Sequence, residues 1–451
     1  MKIVYLAAGA AGMYCGSCLH DNTLAAALHQ QGEEIFLTPT YTPLRTDEPN
    51  MSDVPPIFYG GINVYLEEKI PLFRWLPAWA TRWLDAPWLL NSLSKLNFAV
   101  RAEKLGPLTL SMLRGEHGHQ RRELDKLIAW LKDGPKPEVV HLSNSMLSGV
   151  AREIGEQLDV PVVCTLSGED LFIERLSPRW YGRVREELRR RAAGIARFVA
   201  LNQYYAEFMS DYLNVQRQRI TVIPHGLKLA GHGDRRSSEP SEPLRLGYFA
   251  RIAPEKGLHQ LVDAFKLLTD DPAVPPTKLL IAGYLNAGDR AYFAEQRAKL
   301  DRWGLNDRME YRGELTREGK IDFLRSLDVM ALPTVYRESK GIPMLESLAN
   351  ATPVVVPAHG TFPELVADTG GGMTFQPGNV EDLARVLKSL LLDPANRDEL
   401  GRQGQRAVRE RYHDQLMAER HRTLYQEVIA AHNKLATEIP EALGTPAPEL
   451  A

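Results

Sequence analysis

Two pairs of charged residues carry the chemistry of this chain. Arg251 closes the run Gly247-Tyr248-Phe249-Ala250-Arg251, and Lys256-Gly257 follows it, opening a helical pattern over 258–268. Both cations therefore sit at a strand's carboxyl edge beside a helix N-terminus. There the free backbone N–H groups and the helix dipole favour an anion such as phosphate. Glu338 and Glu346 bracket Ser339-Lys340-Gly341-Ile342-Pro343-Met344-Leu345. Pro343 suits the first turn of a helix and Gly341 allows close approach to a ligand. Glu338 then belongs to the loop after a strand at 329–332, with Glu346 about one turn into the helix. Carboxylates in those places accept hydrogen bonds from the paired hydroxyls of a ribose or hexose. Either pair alone is ordinary surface decoration; their order and the element edges they occupy make them one candidate site.

The elements that must position them alternate along the chain. Short apolar runs at 2–6, 34–38, 139–141, 160–165, 197–201 and 220–223 read as strands, followed by 244–251, 278–282, 309–311, 329–332 and 353–356. Helical patterns at 23–31, 258–268, 290–303, 321–327 and 380–391 lie between them, and a long one runs from about 396 to 434. Such alternation predicts parallel sheets with helices on both faces. A polar stretch at 231–243 interrupts the pattern before it restarts. The expectation is an α/β chain of two doubly wound, Rossmann-like domains facing a cleft. Residues 1–226 form the first domain, with a Trp-rich insertion at about 57–137, and 227–243 the linker. The second domain is 244–411, a helix at 412–436 returns to the first, and 437–451 form a disordered tail.

Composition narrows the class. The 451 residues are 44% hydrophobic and 25% charged, with a formal net charge of −3. That is a globular enzyme's profile, and it argues against broad nucleic-acid binding. Three cysteines are too few for a disulfide framework, which favours a reducing compartment. The start of the chain reads as a first strand, with a signal peptide the lesser alternative. No run approaches the ~18 apolar residues that span a bilayer, so the expected location is cytoplasmic.

Taken together, Arg251-x4-Lys256-Gly257, Glu338-x7-Glu346 and Ser347-Leu348-Ala349-Asn350-Ala351-Thr352-Pro353-Val354-Val355 resemble family 4 of the retaining GT-B glycosyltransferases (glycosyl transferases group 1). Ile223-Pro224-His225-Gly226, Ile281-Ala282-Gly283, Tyr311-Arg312-Gly313-Glu314-Leu315 and the stretch from Gly360 to Glu364 match in the same order. The resemblance implies a hexosyl transfer from a nucleotide-diphosphate sugar, UDP- or GDP-linked, to a glycan, lipid or small-molecule acceptor, without metal or other cofactor. Arg251 and Lys256 would bind the diphosphate and stabilise charge on the leaving group. Glu338 would hold sugar hydroxyls, assisted by Gly341 and Ile342, while Glu346 would hold the ribose. Arg312 and Leu315 would edge the base, with Gly283 nearby. A nucleotide-sugar epimerase and a non-catalytic sugar-nucleotide-binding protein are the competing readings.

Four features depart from the pattern or stand outside it. Lys340 replaces an apolar or aromatic residue and either contacts phosphate or carboxylate or points to solvent. Leu166-Ser167-Gly168-Glu169-Asp170 stands where the family often has a His. Glu169 or Asp170 could accept an acceptor hydroxyl, and Ser167 or Asp170 could simply cap a helix. Cys15-Gly16-Ser17-Cys18 reads as a thiol–disulfide pair or, with His20, as part of a zinc site, although a closed one needs four ligands. The resemblance makes it instead the glycine loop that admits donor phosphate, with Gly16 closest. Finally, Trp75, Trp79 and Trp83, spaced by four and near Trp88, share one helix face. That face suits a lid on the first domain, a peripheral membrane contact or an acceptor-sugar platform.

Overall fold

The run Ile3-Val4-Tyr5-Leu6-Ala7 is fully buried, as a strand must be when helices cover both faces of a parallel sheet. It forms β1 (Lys2–Ala7) of a six-stranded sheet in the computed structural model, which describes residues 1–9, 15–52, 103, 105–234 and 242–438. The sheet continues with β2 (Glu34–Pro39), β3 (Val139–Leu142), β4 (Val162–Leu166), β5 (Arg197–Ala200) and β6 (Ile220–Val222). Its order is β2-β1-β3-β4-β5-β6, and every pairing is parallel.

A second six-stranded sheet holds β7 (Leu244–Phe249), β8 (Thr277–Ala282), β9 (Met309–Tyr311), β10 (Val329–Ala331), β11 (Val354–Pro357) and β12 (Gly372–Phe375). The order β12-β11-β10-β7-β8-β9 is again all parallel. Counted within that domain, it is the doubly wound order 3-2-1-4-5-6 seen from the other edge. Separate apolar cores, one around Phe265, Phe323 and Val355 and two on either face of the first sheet, hold the layers together.

Some element bounds differ from the sequence reading, each for a local reason. The first helix begins at Gly16, not 23, because the Cys15 side chain caps it by accepting from the Cys18 N–H. The helix expected at 321–327 is Arg317–Arg325, capped by Thr316 through the Gly319 N–H. The long final pattern is broken into Pro394–Arg411 and Asp414–Glu438. At the break the backbone pairs with the outgoing chain: Leu227 N donates to Tyr412 O and Asp414 N to Leu227 O, at 2.8 and 3.0 Å. Both passages between the domains therefore run side by side. The Asp414–Glu438 helix packs on the first domain, where Met417, Leu424 and Tyr425 join its core. The Trp-rich segment with Trp75, Trp79, Trp83 and Trp88 lies outside the described residues, as does the tail from 439.

Candidate active site

The point where strand order reverses in the second sheet lies between β7 and β10, and ligands of such sheets bind there, past the strands' carboxyl ends. Arg251 follows β7, and Lys256 ends the turn Pro254–Lys256 before Gly257 and the helix Leu258–Asp270. Gly257 has φ +76°, and a Cβ there would fall 1.7 Å from Pro333 O. Only glycine lets the β7 turn lie against the loop after β10, and this close approach brings Lys256 to Glu338.

Glu338 is the centre of the cluster. Its Oε2 accepts from Lys256 Nζ at 2.9 Å and from the Tyr336 hydroxyl at 2.5 Å. Its Oε1 faces the N–H groups of Ser339 and Lys340 at 3.2 and 3.3 Å. Lys256 also donates to Tyr336. Burial pushes the Glu338 carboxyl up, but the charges of Lys256 and Lys340 and the tyrosine bond outweigh it and hold the group down to about 2. It is an ionised acceptor throughout the physiological range. Arg251, a third exposed, donates to Glu255 Oε1 at 2.5 Å, and Arg175 of the first domain approaches the same carboxylate at 3.6 Å.

Gly341, at φ +70°, precedes the helix Ile342–Leu348, and a Cβ on it would meet Leu365 Cδ1 at 2.4 Å. Pro343 occupies that helix's first turn, and Glu346 is buried one turn in. Its Oε1 accepts from Lys320 Nζ at 2.5 Å, and Lys320 is also bonded to Asp47 of the first domain. One buried cation serving two carboxylates, Glu346 buried and Asp47 half-buried, explains opposite-looking shifts. Burial lowers the Lys320 ammonium's proton affinity, yet Glu346 and Asp47 raise it above the usual lysine range. Burial raises Glu346, and Lys320 compensates only in part because Asp47 shares it.

The first domain supplies the opposite wall. Cys15, Gly16 and Leu19, with Arg45, Thr46 and Asp47, face Phe249 through Arg251, Gly283, Tyr284, Glu314, Leu315, Lys320, Ile342, Pro343 and Glu346 around a single cavity. A Cβ on Gly16 would lie 3.2 Å from Ile342. Lys340 does not point to solvent: it crosses the cleft and donates to Ser167 O, and its charge acts on the Glu338 carboxylate. Asn202 Nδ2 donates to Ser339 O at 2.6 Å, and Glu364 accepts from the N–H groups of Gln203 and Tyr204 at 2.9 and 2.8 Å.

The structure thus brings Arg251, Lys256, Glu338, Gly341, Ile342, Glu346, Gly283, Leu315 and Gly16 to one cleft. Arg312 is placed differently, because its guanidinium turns outward to Glu310 at 2.8 Å and over the Phe323 ring. Ser167 reaches the cleft, whereas the Glu169 carboxylate turns inward to Ser145 and the Ser167 N–H, and Asp170 to the Tyr205 hydroxyl at 2.6 Å. Cys15 and Cys18 are free thiols with Sγ atoms 2.9 Å apart. His20 turns away from them to His225, Nδ1 to Nδ1 at 3.0 Å. Sequence reasoning missed Tyr336, Lys320 and Asp47. Tyr336, two residues before Glu338, was within reach of it; the other two join only in the folded chain.

Residues 234–407 match the family model of glycosyl transferases group 1, and residues 95–230 that of glycosyltransferase family 4. A 2-deoxystreptamine glucosyltransferase of Streptomyces kanamyceticus is 30% identical over 224 residues, 46% of this chain and 53% of that protein. A D-inositol 3-phosphate glycosyltransferase of Nocardia farcinica is 31% identical over 223 residues, 47% of this chain and 48% of that one. The chain spans about half the length of these curated relatives. Among solved structures, sucrose-phosphate synthase from Thermosynechococcus elongatus has a TM-score of 0.70 at 16% identity, covering 96% of this chain and 100% of that one. Anabaena Alr3699/HepE in complex with UDP and glucose has a TM-score of 0.65 at 15% identity, covering 95% and 100%. The fold is that of GT-B glycosyltransferases. With the two family matches it supports a GT-B glycosyltransferase, and the relatives named are glycosyltransferases, not epimerases.

Proposed function

We propose that the protein is a retaining, metal-independent hexosyltransferase that takes its sugar from a nucleotide-diphosphate donor. The observation that carries the reading is the Lys256–Tyr336–Glu338 cluster past the strand-order reversal, together with Arg251 and Glu346, which line the cavity between the domains. Arg251 and Lys256 would take the donor's diphosphate. Fixed cations there stabilise the charge that grows on the leaving phosphate as the bond to the anomeric carbon lengthens. Glu338, held ionised, suits hydroxyls of the transferred sugar better than proton donation. The acceptor hydroxyl approaches the face the phosphate leaves, its oxygen bonds to the anomeric carbon, and its proton passes to the departing phosphate oxygen. The products are the glycoside, with configuration kept, and the nucleoside diphosphate. Closing of the cleft excludes water and favours transfer over hydrolysis.

UDP- and GDP-linked donors both suit the grip, and neighbours solved with UDP and UDP-glucose favour uridine. Turnover of a nucleotide sugar tests the reading. Lys256→Ala and Glu338→Ala each lower it by about two orders of magnitude, as loss of a charge-stabilising group does, while the folded state persists by circular dichroism. Unchanged turnover in both variants would refute the site.

A further inference from the structure

The loop that carries Arg45, Thr46, Asp47 and Glu48 belongs to the first domain, yet it forms one wall of the cavity on the nucleotide side. It is firmly anchored on its own domain. Thr23 Oγ1 donates to Glu48 Oε2 at 3.1 Å, Asn22 Nδ2 to Pro49 O at 3.0 Å, and Met51 N to Asn22 Oδ1 at 2.8 Å. All three bonds lead to the helix Gly16–Gln30, whose first turn faces the same cavity. From this platform two residues cross to the second domain: Arg45 to Glu314 Oε1 at 2.6 Å, and Asp47 to Lys320. Lys320 is 8% exposed and Glu346 5%, so the Asp47–Lys320–Glu346 unit is a largely buried ionic group that straddles the cleft.

One buried carboxylate, one half-buried carboxylate and one buried ammonium leave a net negative charge, which a low-dielectric setting makes costly. The state of the Glu346 carboxylate therefore depends on how Lys320 divides between its partners. We propose that Lys320 and Asp47 are positioning residues for the donor's ribose: Lys320 holds the Glu346 carboxylate ionised and aimed at the cavity, and Asp47, arriving with the first domain, competes for that cation and so sets how strongly Glu346 accepts. The inference rests on the donor-site reading above and goes beyond it by tying ribose recognition in one domain to a carboxylate of the other. Glu48 is the further charged group acting on Glu346. His232 meets Asn350, whose amide donates to Glu346 O, and it feels Arg317, Lys320 and Asp47.

Two neutral substitutions a few ångströms apart then act in opposite directions. Lys320→Met removes the cation from both carboxylates, so Glu346 holds a proton to higher pH. Asp47→Asn leaves Lys320 to Glu346 alone, so Glu346 gives up its proton at lower pH. The test is calorimetric binding of UDP-glucose and of GDP-mannose as a function of pH. The diphosphate diesters of these probes do not titrate near neutral pH. For whichever probe the wild type binds, Lys320→Met should weaken binding about tenfold, as an unpaired buried acceptor would. The midpoint below which affinity falls should move up in Lys320→Met, down in Asp47→Asn and little in Lys320→Arg. Midpoints that do not move, or that move the same way in both neutral variants, overturn the inference while leaving the donor site standing. If Lys320→Met does not fold, a midpoint in Asp47→Asn at or above the wild-type value overturns it alone. Failure of the wild type to bind either probe defeats the donor-site reading itself, and this inference with it.

Discussion

At the scale of single residues, charge around the cleft is set by proximity between elements more than by local sequence. Cys15 shows this. The hydrogen bond from Cys18 first, then bonds from the Cys18 and Ser17 N–H groups and the Lys340 charge, outweigh burial and lower its thiol to about 6. Cys18 is pushed far up by the same bond and by burial. Burial likewise pushes Cys164 up. Native-state alkylation with iodoacetamide should therefore modify one of the three cysteines fast, with a rate midpoint near pH 6. In Cys18→Ala that midpoint should rise toward the ordinary thiol value of about 8.5. A wild-type midpoint already at the ordinary value would show that the Cys15 environment is wrongly described. The thiol motif, Arg251, Lys256, Glu338 and Glu346 could be found in the sequence because each carries its partner or its element edge within a few residues. Lys320 could not. It stands in a polar helical stretch like any solvated lysine, and Asp47 and Glu346 reach it only through the fold.

At the scale of elements, the parallel sheets were legible because buried strands read as continuous apolar runs bounded by turns. Their helical partners were legible less evenly. The helix Arg317–Arg325 began earlier than its apolar pattern because Gly319 in its first turn reads as a breaker, while Thr316 in fact caps it. The helical pattern over 396–434 is interrupted at Tyr412, where the backbone pairs with Leu227. Gly257 is the element edge on which the site depends most. With φ +76° and Pro333 O in the space of a Cβ, Gly257→Ala must both strain the backbone and push the β10 loop away. We expect a loss of about 2–4 kcal/mol in chemical denaturation. Weaker donor binding should accompany it, because Lys256 and Glu338 lose their registration. A variant as stable as wild type would mean that the two loops can separate without cost.

At the scale of the whole molecule, a set of polar contacts among the described residues crosses the cleft. Glu364 is the clearest of them: it places a carboxylate on the first two N–H groups of the helix Gln203–Leu213 across the gap. An anion at a helix N-terminus contributes about 1 kcal/mol. Glu364→Ala should therefore raise KM for the donor roughly fivefold with little change in kcat, since a 1.4 kcal/mol difference is tenfold. The radius of gyration from solution scattering should increase as well. Identical scattering and KM in the variant would show that closure is fixed elsewhere, as by Lys340–Ser167, Asn202–Ser339, Arg45–Glu314 or Asp47–Lys320.

The paired passages at Leu227 and Tyr412–Asp414 have a consequence for how the gene can be cut. Because the chain leaves the first domain and re-enters it at one doorway, the second domain is an insertion, not an appendage. Its boundaries lie side by side, and the helix Asp414–Glu438 completes a core begun at β1. A fragment ending near residue 226 would strip that core of Met417, Leu424 and Tyr425. A fragment joining 226 to 413 by a short turn keeps every layer of the first domain. Residues 227–412 can therefore be transplanted as a unit. Such a transplant carries Lys320 away from Asp47, its partner in the first domain.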